Sequence, residues 1–164
     1  MIAIKDMSGL LKPYAAKKLV STLKNEIGVP IHLHTHDISG NQVATLLMAS
    51  EAGVDIVDTA ISSMSSGTSQ PSLNAVVAAL QGGERDTGLD LDRLQSLTDY
   101  WEDVRRRYDS FEAGITSPAT DIYRYEIPGG QYTNLKPQVD SLGLGDRFRE
   151  VKENYRLVNE MLGD

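Results

Sequence analysis

The chain has 164 residues, 40% hydrophobic and 24% charged, the size and make-up of one ordinary globular domain. A net charge of −7 argues against partners read through clustered Lys and Arg, so neither a nucleic-acid backbone nor an anionic membrane face is expected. The absence of cysteine excludes disulfide scaffolds, thiolate metal sites and cysteine nucleophiles, and fits a reducing, cytoplasmic setting.

In chain order, Ile2–Lys5 reads as a short strand with no secretory leader before it. The next stretch, Tyr14–Ile27, is predicted helical, with Ala15, Leu19, Leu23 and Ile27 on one face and Ala16 and Val20 beside them. Pro13 suits its first turn and Gly28 a left-handed stop. A second strand is expected over Ile31–His36. A helix from Gly40 to Ala52 follows, with Val43, Ala44, Leu47 and Met48 inward and Gly53 as its stop. A third strand, Val54–Ala60, leads into a Ser/Gly-rich loop, Ser62–Gln70. Pro71-Ser72 then opens a helix bearing Leu73, Val76, Val77 and Leu80, which stops at Gly82-Gly83. Strand–helix units at this spacing pair in parallel, and their period is that of a (β/α)₈ barrel with too few repeats.

Past Gly83 the pattern becomes helical. A long helix is expected from Leu89 to about Glu112, capped by Asp90 or Asp92. Its seam of Leu94, Leu97, Trp101, Val104, Tyr108 and Phe111 suits antiparallel helix packing. The stretch Ala113–Gly130 reads as a loop with a tight turn at Gly129-Gly130. A last helix carries Phe148, Val151, Tyr155, Val158 and Leu162. The division is drawn as 1–83, three βα units, and 84–164, helical.

All three histidines lie in Ile31-His32-Leu33-His34-Thr35-His36-Asp37. Alternate strand residues share a face, so the imidazoles point one way and Ile31, Leu33 and Thr35 the other. A single inward histidine is ordinarily a hydrogen-bonded structural residue. Three alternating ones favour a metal, for which neutral imidazole is a good ligand. His34 and His36 sit toward the C-terminal end of the strand, where barrel enzymes keep their chemistry, and His32 is read as structural. Lys5 ends the first strand at the same mouth. It is open to three readings: a surface or salt-bridging residue, a Schiff-base nucleophile, or a metal ligand after its neutral amine captures CO₂ as a carbamate. Asp37 is read as a helix cap, the loop Ser62–Gln70 as connector or ligand loop, and Arg105-Arg106-Arg107 as a solvated helix face.

Three motifs together resemble the carboxyltransferase domain of biotin-dependent enzymes: Ile4-Lys5-Asp6-Met7-Ser8-Gly9-Leu10-Leu11, His32-Leu33-His34-Thr35-His36-Asp37 and Thr68-Ser69-Gln70-Pro71-Ser72. Within that family the stretches Glu126-Ile127-Pro128-Gly129-Gly130-Gln131-Tyr132-Thr133-Asn134-Leu135, Ser141-Leu142-Gly143-Leu144-Gly145 and Asn159-Glu160-Met161-Leu162-Gly163-Asp164 are most similar to the pyruvate carboxylase branch. The resemblance implies an α/β fold, the C-terminal part of a TIM (β/α)₈ barrel followed by an all-helical extension. It implies that Lys5, carbamylated, and His34 and His36 bind Zn²⁺ or Mn²⁺, with a fourth ligand, an Asp, outside these residues. The family's keto-acid-binding Arg and Gln and its proton-shuttling Thr also fall outside, so no catalytic residue is assigned within the chain, and Thr133 is not that threonine. Implied partners are the rest of the barrel, biotin carboxyl carrier and biotin carboxylase domains, pyruvate and oxaloacetate, in a homo-oligomer. The implied reaction moves CO₂ from carboxybiotin to pyruvate to give oxaloacetate, and the 164 residues alone are expected to be inactive. The alternatives are a fragment of an oxaloacetate decarboxylase α subunit or transcarboxylase, a Schiff-base aldolase using Lys5, and a non-catalytic assembly module.

Overall fold

The computed structural model describes residues 1–112, 114 and 117–163. Three strands, β1 (Ile2–Asp6), β2 (Ile31–Thr35) and β3 (Ile56–Val57), form one parallel sheet in the order β1-β2-β3. The crossovers are α1 (Pro13–Glu26) and α2 (Gln42–Glu51), and α3 (Leu73–Leu80) follows β3. The helices α4 (Leu91–Arg106), α5 (Ile122–Tyr125), α6 (Gly129–Ser141) and α7 (Phe148–Leu162) complete the chain. This is α/β architecture of three strand–helix units with a helical extension. Among the described residues no helix is long and apolar enough to cross a membrane.

The register separates the two faces of the sheet. Ile2, Ile4 and Asp6 stand opposite Ile31, Leu33 and Thr35, while Ala3 and Lys5 stand opposite His32 and His34. Side chains alternate along a strand, so the first set faces the helices and the second the other side. Ile31 and Leu33 are fully buried, in one core with Ala16 and Val20 of α1, Leu46 and Ala49 of α2, Val54 and Val76. Burying such a branched side chain contributes about 1.5–3 kcal/mol, which holds β2 to its helices and so aims its other face.

Several sequence expectations change at this level. The buried stripe of α1 is Ala16 and Val20, with Leu23 and Ile27 half-buried, whereas Ala15 and Leu19 are exposed. The helix leaves through an extended Ile27, so Gly28 is not a left-handed stop. In α2 the buried residues are Gln42, Thr45, Leu46, Ala49 and Ser50, one step round from the expected face, and Ala44 is exposed. Gly53, at φ +91°, does end that helix region. Only Ile56–Val57 of the third strand forms a ladder, and Ala60 makes an isolated bridge to Ser72. Asp90 caps α4 by accepting from the N–H groups of Asp92 and Arg93, but the helix ends at Arg106. Beyond it the chain turns so that Arg105 pairs with Glu112 and donates to the carbonyl of Ser63. The expected seam is largely unburied: Leu94 and Thr98 pack inward, while Leu97, Trp101, Tyr108 and Phe111 are exposed. The loop expected over 113–130 falls partly outside the described residues. Within it α5 forms, and Gly129-Gly130 opens α6 rather than making a tight turn.

The helical extension sits on the C-terminal ends of β1 and β2. Gly129 N–H donates to the Met7 carbonyl at 3.1 Å, Ala119 N–H to the Ile38 carbonyl at 2.9 Å, and Ser8 Oγ to the Glu126 carbonyl. The Tyr123 hydroxyl reaches Ser39, and the Lys12 ammonium lies over the Tyr123 ring. Behind this layer α7 packs through Phe148 on Tyr132, edge to face, and through Lys152 to Asp121.

Candidate functional site

The side of the sheet away from the core presents His32 and His34 of β2 and His36 one residue past it, each half-buried. Their partners are fixed by the next strand and loop. Asp58, just past β3, is set in register by its N–H donating to the Leu33 carbonyl. Its carboxylate takes His32 Nε2 at 2.8 Å on one oxygen and His34 Nδ1 at 2.7 Å on the other. Burial pushes this carboxyl up, but the hydrogen bonds from His32 and His34 outweigh it and hold it below the usual carboxylate range. His36 Nδ1 lies 2.7 Å from the Thr68 carbonyl, which can only accept.

These contacts decide the tautomers. A carboxylate and a carbonyl are both acceptors, so His34 and His36 each carry a proton on Nδ1. In the neutral rings both Nε2 atoms are then bare, and they face each other at 3.2 Å. Two lone pairs at that distance repel unless a cation or a proton lies between them. Two nitrogens bound tetrahedrally to one ion at about 2.0–2.1 Å lie roughly 3.3–3.4 Å apart. The pair therefore fits a shared divalent metal, in spacing and in donor chemistry. His32 is the opposite case: its Nε2 donates to Asp58 and is unavailable as a ligand.

Lys5 is the cross-strand neighbour of His34 and is exposed at the same face. Of the three readings of Lys5, the salt-bridging one would pair it with its neighbour Asp6, and that bridge does not form. Asp6 instead accepts from the N–H groups of Leu10 and Leu11 and from the Thr35 hydroxyl, closing the turn after β1. Among the described residues no group of three or more His, Asp or Glu side chains is placed to hold a metal; the histidine pair and Lys5 are what the sheet brings to this rim. Asp37 accepts from the N–H of Gln42, the first residue of α2, and from Ser66 Oγ. Burial raises its carboxyl above the usual range, against those hydrogen bonds. Arg106, paired with Glu102, and Arg107 are exposed as the solvated reading of the arginine run expects, whereas Arg105 is half-buried and tied to Glu112 and the Ser63 carbonyl.

Four residues contribute to the site without having been assigned to it from the sequence, three of them inside stretches that carry the resemblance. Asp58 lies 24 residues from His34, and only parallel pairing brings them together. Thr68 and Gln70 come from the Ser/Gly loop, Gln70 Nε2 lying 3.5 Å from His36 Nε2. Gly129 abuts the ring of His36, where an added Cβ would come within 3.1 Å of Nδ1. The signal available beforehand was an acidic residue at the end of a strand lying beside the histidine strand. A groove of about 950 Å³ beside the site is lined by Trp101, Arg105, Tyr108 and residues 64–69, and neither His34 nor His36 reaches it.

Comparison with known proteins agrees with this fold. The HMGL-like family matches residues 1–100, and the Conserved carboxylase domain matches residues 122–164. The chain is 55% identical over 164 residues to pyruvate carboxylase of Staphylococcus aureus, covering all of this chain and 14% of that protein. It superposes on the carboxyl transferase domain of Rhizobium etli pyruvate carboxylase, solved with pyruvate, with a TM-score of 0.97 at 52% identity, covering 100% of this chain and 28% of that one. It also superposes on the complete multifunctional pyruvate carboxylase of Rhizobium etli, with a TM-score of 0.96 over 98% of this chain and 16% of that one. The 164 residues thus span a small part of the relatives they match. The chain belongs to the HMGL-like family and corresponds, along its whole length, to a segment of the carboxyltransferase domain of pyruvate carboxylase.

Proposed function

We propose that the chain supplies part of the metal site of a carboxyltransferase that moves CO₂ from carboxybiotin to pyruvate, giving oxaloacetate. The observation that carries this is the pair of bare Nε2 atoms of His34 and His36 converging at 3.2 Å. Lys5, opposite His34 in the sheet, is the third ligand. Its neutral amine adds to CO₂ and releases a proton, which gives a carbamate with carboxylate-like oxygens. The fourth ligand, an Asp, comes from outside these residues, and the metal is Zn²⁺ or Mn²⁺. Bound there, a divalent cation supplies Lewis-acid polarisation of the keto oxygen of pyruvate. The chain's own residues hold the ligand atoms in place: Asp58 orients His34, and the Thr68 carbonyl orients His36. Lys5 serves as ligand rather than nucleophile.

The partners we assign are the rest of the barrel, a biotin carboxyl carrier domain and a biotin carboxylase domain, in a homo-oligomer in the cytoplasm. We divide the chain into a barrel part, 1–83, which holds all three strands and the ligands, and a helical part, 84–164, which covers the mouth. The three strands are the last of the eight.

The test is a metal titration with Co²⁺, whose absorption bands report ligand number. His34→Ala and His36→Ala should each weaken cobalt affinity by more than about 100-fold, beyond the usual effect of losing an outer partner. Unchanged affinity in both variants would refute the ligand assignment. Borohydride reduction in the presence of pyruvate should leave Lys5 unmodified, and a trapped pyruvyl adduct on Lys5 would point to Schiff-base chemistry instead.

A further inference from the structure

Three histidines lie along β2 and the residue after it, yet only His34 and His36 present a free nitrogen to the same point, and a single carboxylate sorts His34 from His32. We propose that Asp58 is a positioning residue for His34, holding its proton on Nδ1 so that Nε2 is bare toward His36, and that His32 holds Asp58 in place. The inference rests on the metal-site reading above and says how that site is preorganised.

The geometry is specific. Asp58 is tied to β2 by its own N–H on the Leu33 carbonyl at 3.1 Å, so its carboxylate starts from a fixed backbone point between His32 and His34. Same-face neighbours on a strand are about 6–7 Å apart, a gap that a carboxylate spans with one oxygen for each ring. The observed contacts are 2.8 Å to His32 Nε2 and 2.7 Å to His34 Nδ1, in the range of charge-assisted hydrogen bonds. Ionised, the carboxylate only accepts, so both rings must donate to it. That forces opposite tautomers on neighbouring histidines: Nε2–H on His32 and Nδ1–H on His34. A free neutral histidine can carry its proton on either nitrogen, and a ring with the proton on Nε2 offers nothing to a metal on that side. By excluding that form of His34, Asp58 presents its ligand atom before any metal arrives. His32 contributes at one remove. It takes the second carboxylate oxygen and so prevents the side chain from rotating toward solvent, to which it is partly open.

The experiment is nitrogen-15 NMR of the histidine rings in metal-stripped protein, in the full polypeptide that carries this chain, together with Co²⁺ titration. In the wild type His34 should report Nδ1–H and His32 Nε2–H. Finding His34 as Nε2–H there overturns the proposal with no variant needed, and whether or not cobalt binds. In Asp58→Asn, which keeps size and shape, the His34 signal should lose its Nδ1–H preference and cobalt affinity should fall by about 10–100-fold. Asp58→Glu, which keeps the carboxylate, should recover part of the affinity. His32→Gln, which keeps a donor toward Asp58, should lose less than Asp58→Asn. An Asp58→Asn protein with the wild-type tautomer, or with cobalt affinity within twofold of wild type, overturns the role assigned to Asp58. Failure of the wild type to bind cobalt refutes the metal-site reading alone, because the tautomer measurement stands independently of it.

Discussion

Gly9 leaves no room for a side chain. It has φ +71°, and an added Cβ would lie 2.1 Å from the carbonyl oxygen of His36. Gly9→Ala therefore meets two penalties, a left-handed backbone with a Cβ and a collision with the backbone of a candidate ligand. We expect a loss of at least about 2 kcal/mol in urea unfolding, with weakened metal binding. Asp55 acts at the other end of β2. Its carboxyl is held below the usual range first by the Ile31 N–H, at 2.7 Å, and then by the Lys24 ammonium. The sign follows from linkage: a lowered folded value contributes stability above the ordinary carboxylate range, and that contribution is lost as pH falls through the lowered value. Asp55→Asn should lower stability at neutral pH and flatten its fall in acid, as read from unfolding midpoints between neutral pH and about pH 3. An unchanged acid limb would show that Asp55 does not link α1, β2 and β3. At this scale the histidine alternation is legible in the sequence because a strand's period is two. The partners of those histidines are not, because the register of a neighbouring strand decides them.

Among the elements, α3 and α6 contrast. Ser72 is the N-cap of α3, accepting from the Ala75 N–H, and Pro71-Ser72 marks that start plainly. Ser72→Ala should cost about 1 kcal/mol in thermal or urea unfolding, and no measurable loss would show that neither the cap nor the bond to Ser62 Oγ, which the substitution also removes, stabilises the fold. Helix α6 opens on two glycines and contains Pro137, so its local propensity is poor and the stretch before it reads as a turn. Contacts distant in sequence compensate: the Gly129 N–H on Met7, and Tyr132 against Phe148 of α7. The same limit applies to α4, where the spacing of Leu97 and Trp101 is helical but says nothing about what covers them. Hydrophobic period identifies a helix and its apolar stripe. It does not say which residues of a broad stripe meet the sheet, which is why the buried faces of α1 and α2 lie one step from the expected ones.

For the molecule as a whole, the parallel sheet of three strands that the described residues form is open at both edges, whereas a closed barrel has none. The chain covers 28% of the solved carboxyl transferase domain that it superposes on. The ligands proposed above, two histidines and a lysine, would by themselves leave a coordination sphere incomplete. We therefore expect the 164 residues alone to yield no oxaloacetate when supplied with pyruvate, carboxybiotin and Zn²⁺, and formation of oxaloacetate in that mixture would refute the expectation. What the amino-acid order determined by itself was the unit of construction: strand–helix repeats at barrel spacing, the even-spaced histidines and the lysine near the end of β1. Periodicity and turn chemistry are local, and they survive in a linear string. Only the tertiary structure decided that Asp58 reaches across to sort His32 from His34, and that the Thr68 carbonyl does the same for His36. It also decided that Gly129 opens a helix against that ring. Each of those choices is made by atoms more than twenty residues apart, brought together by backbone pairing between strands and by the burial of Ile31 and Leu33 beneath them.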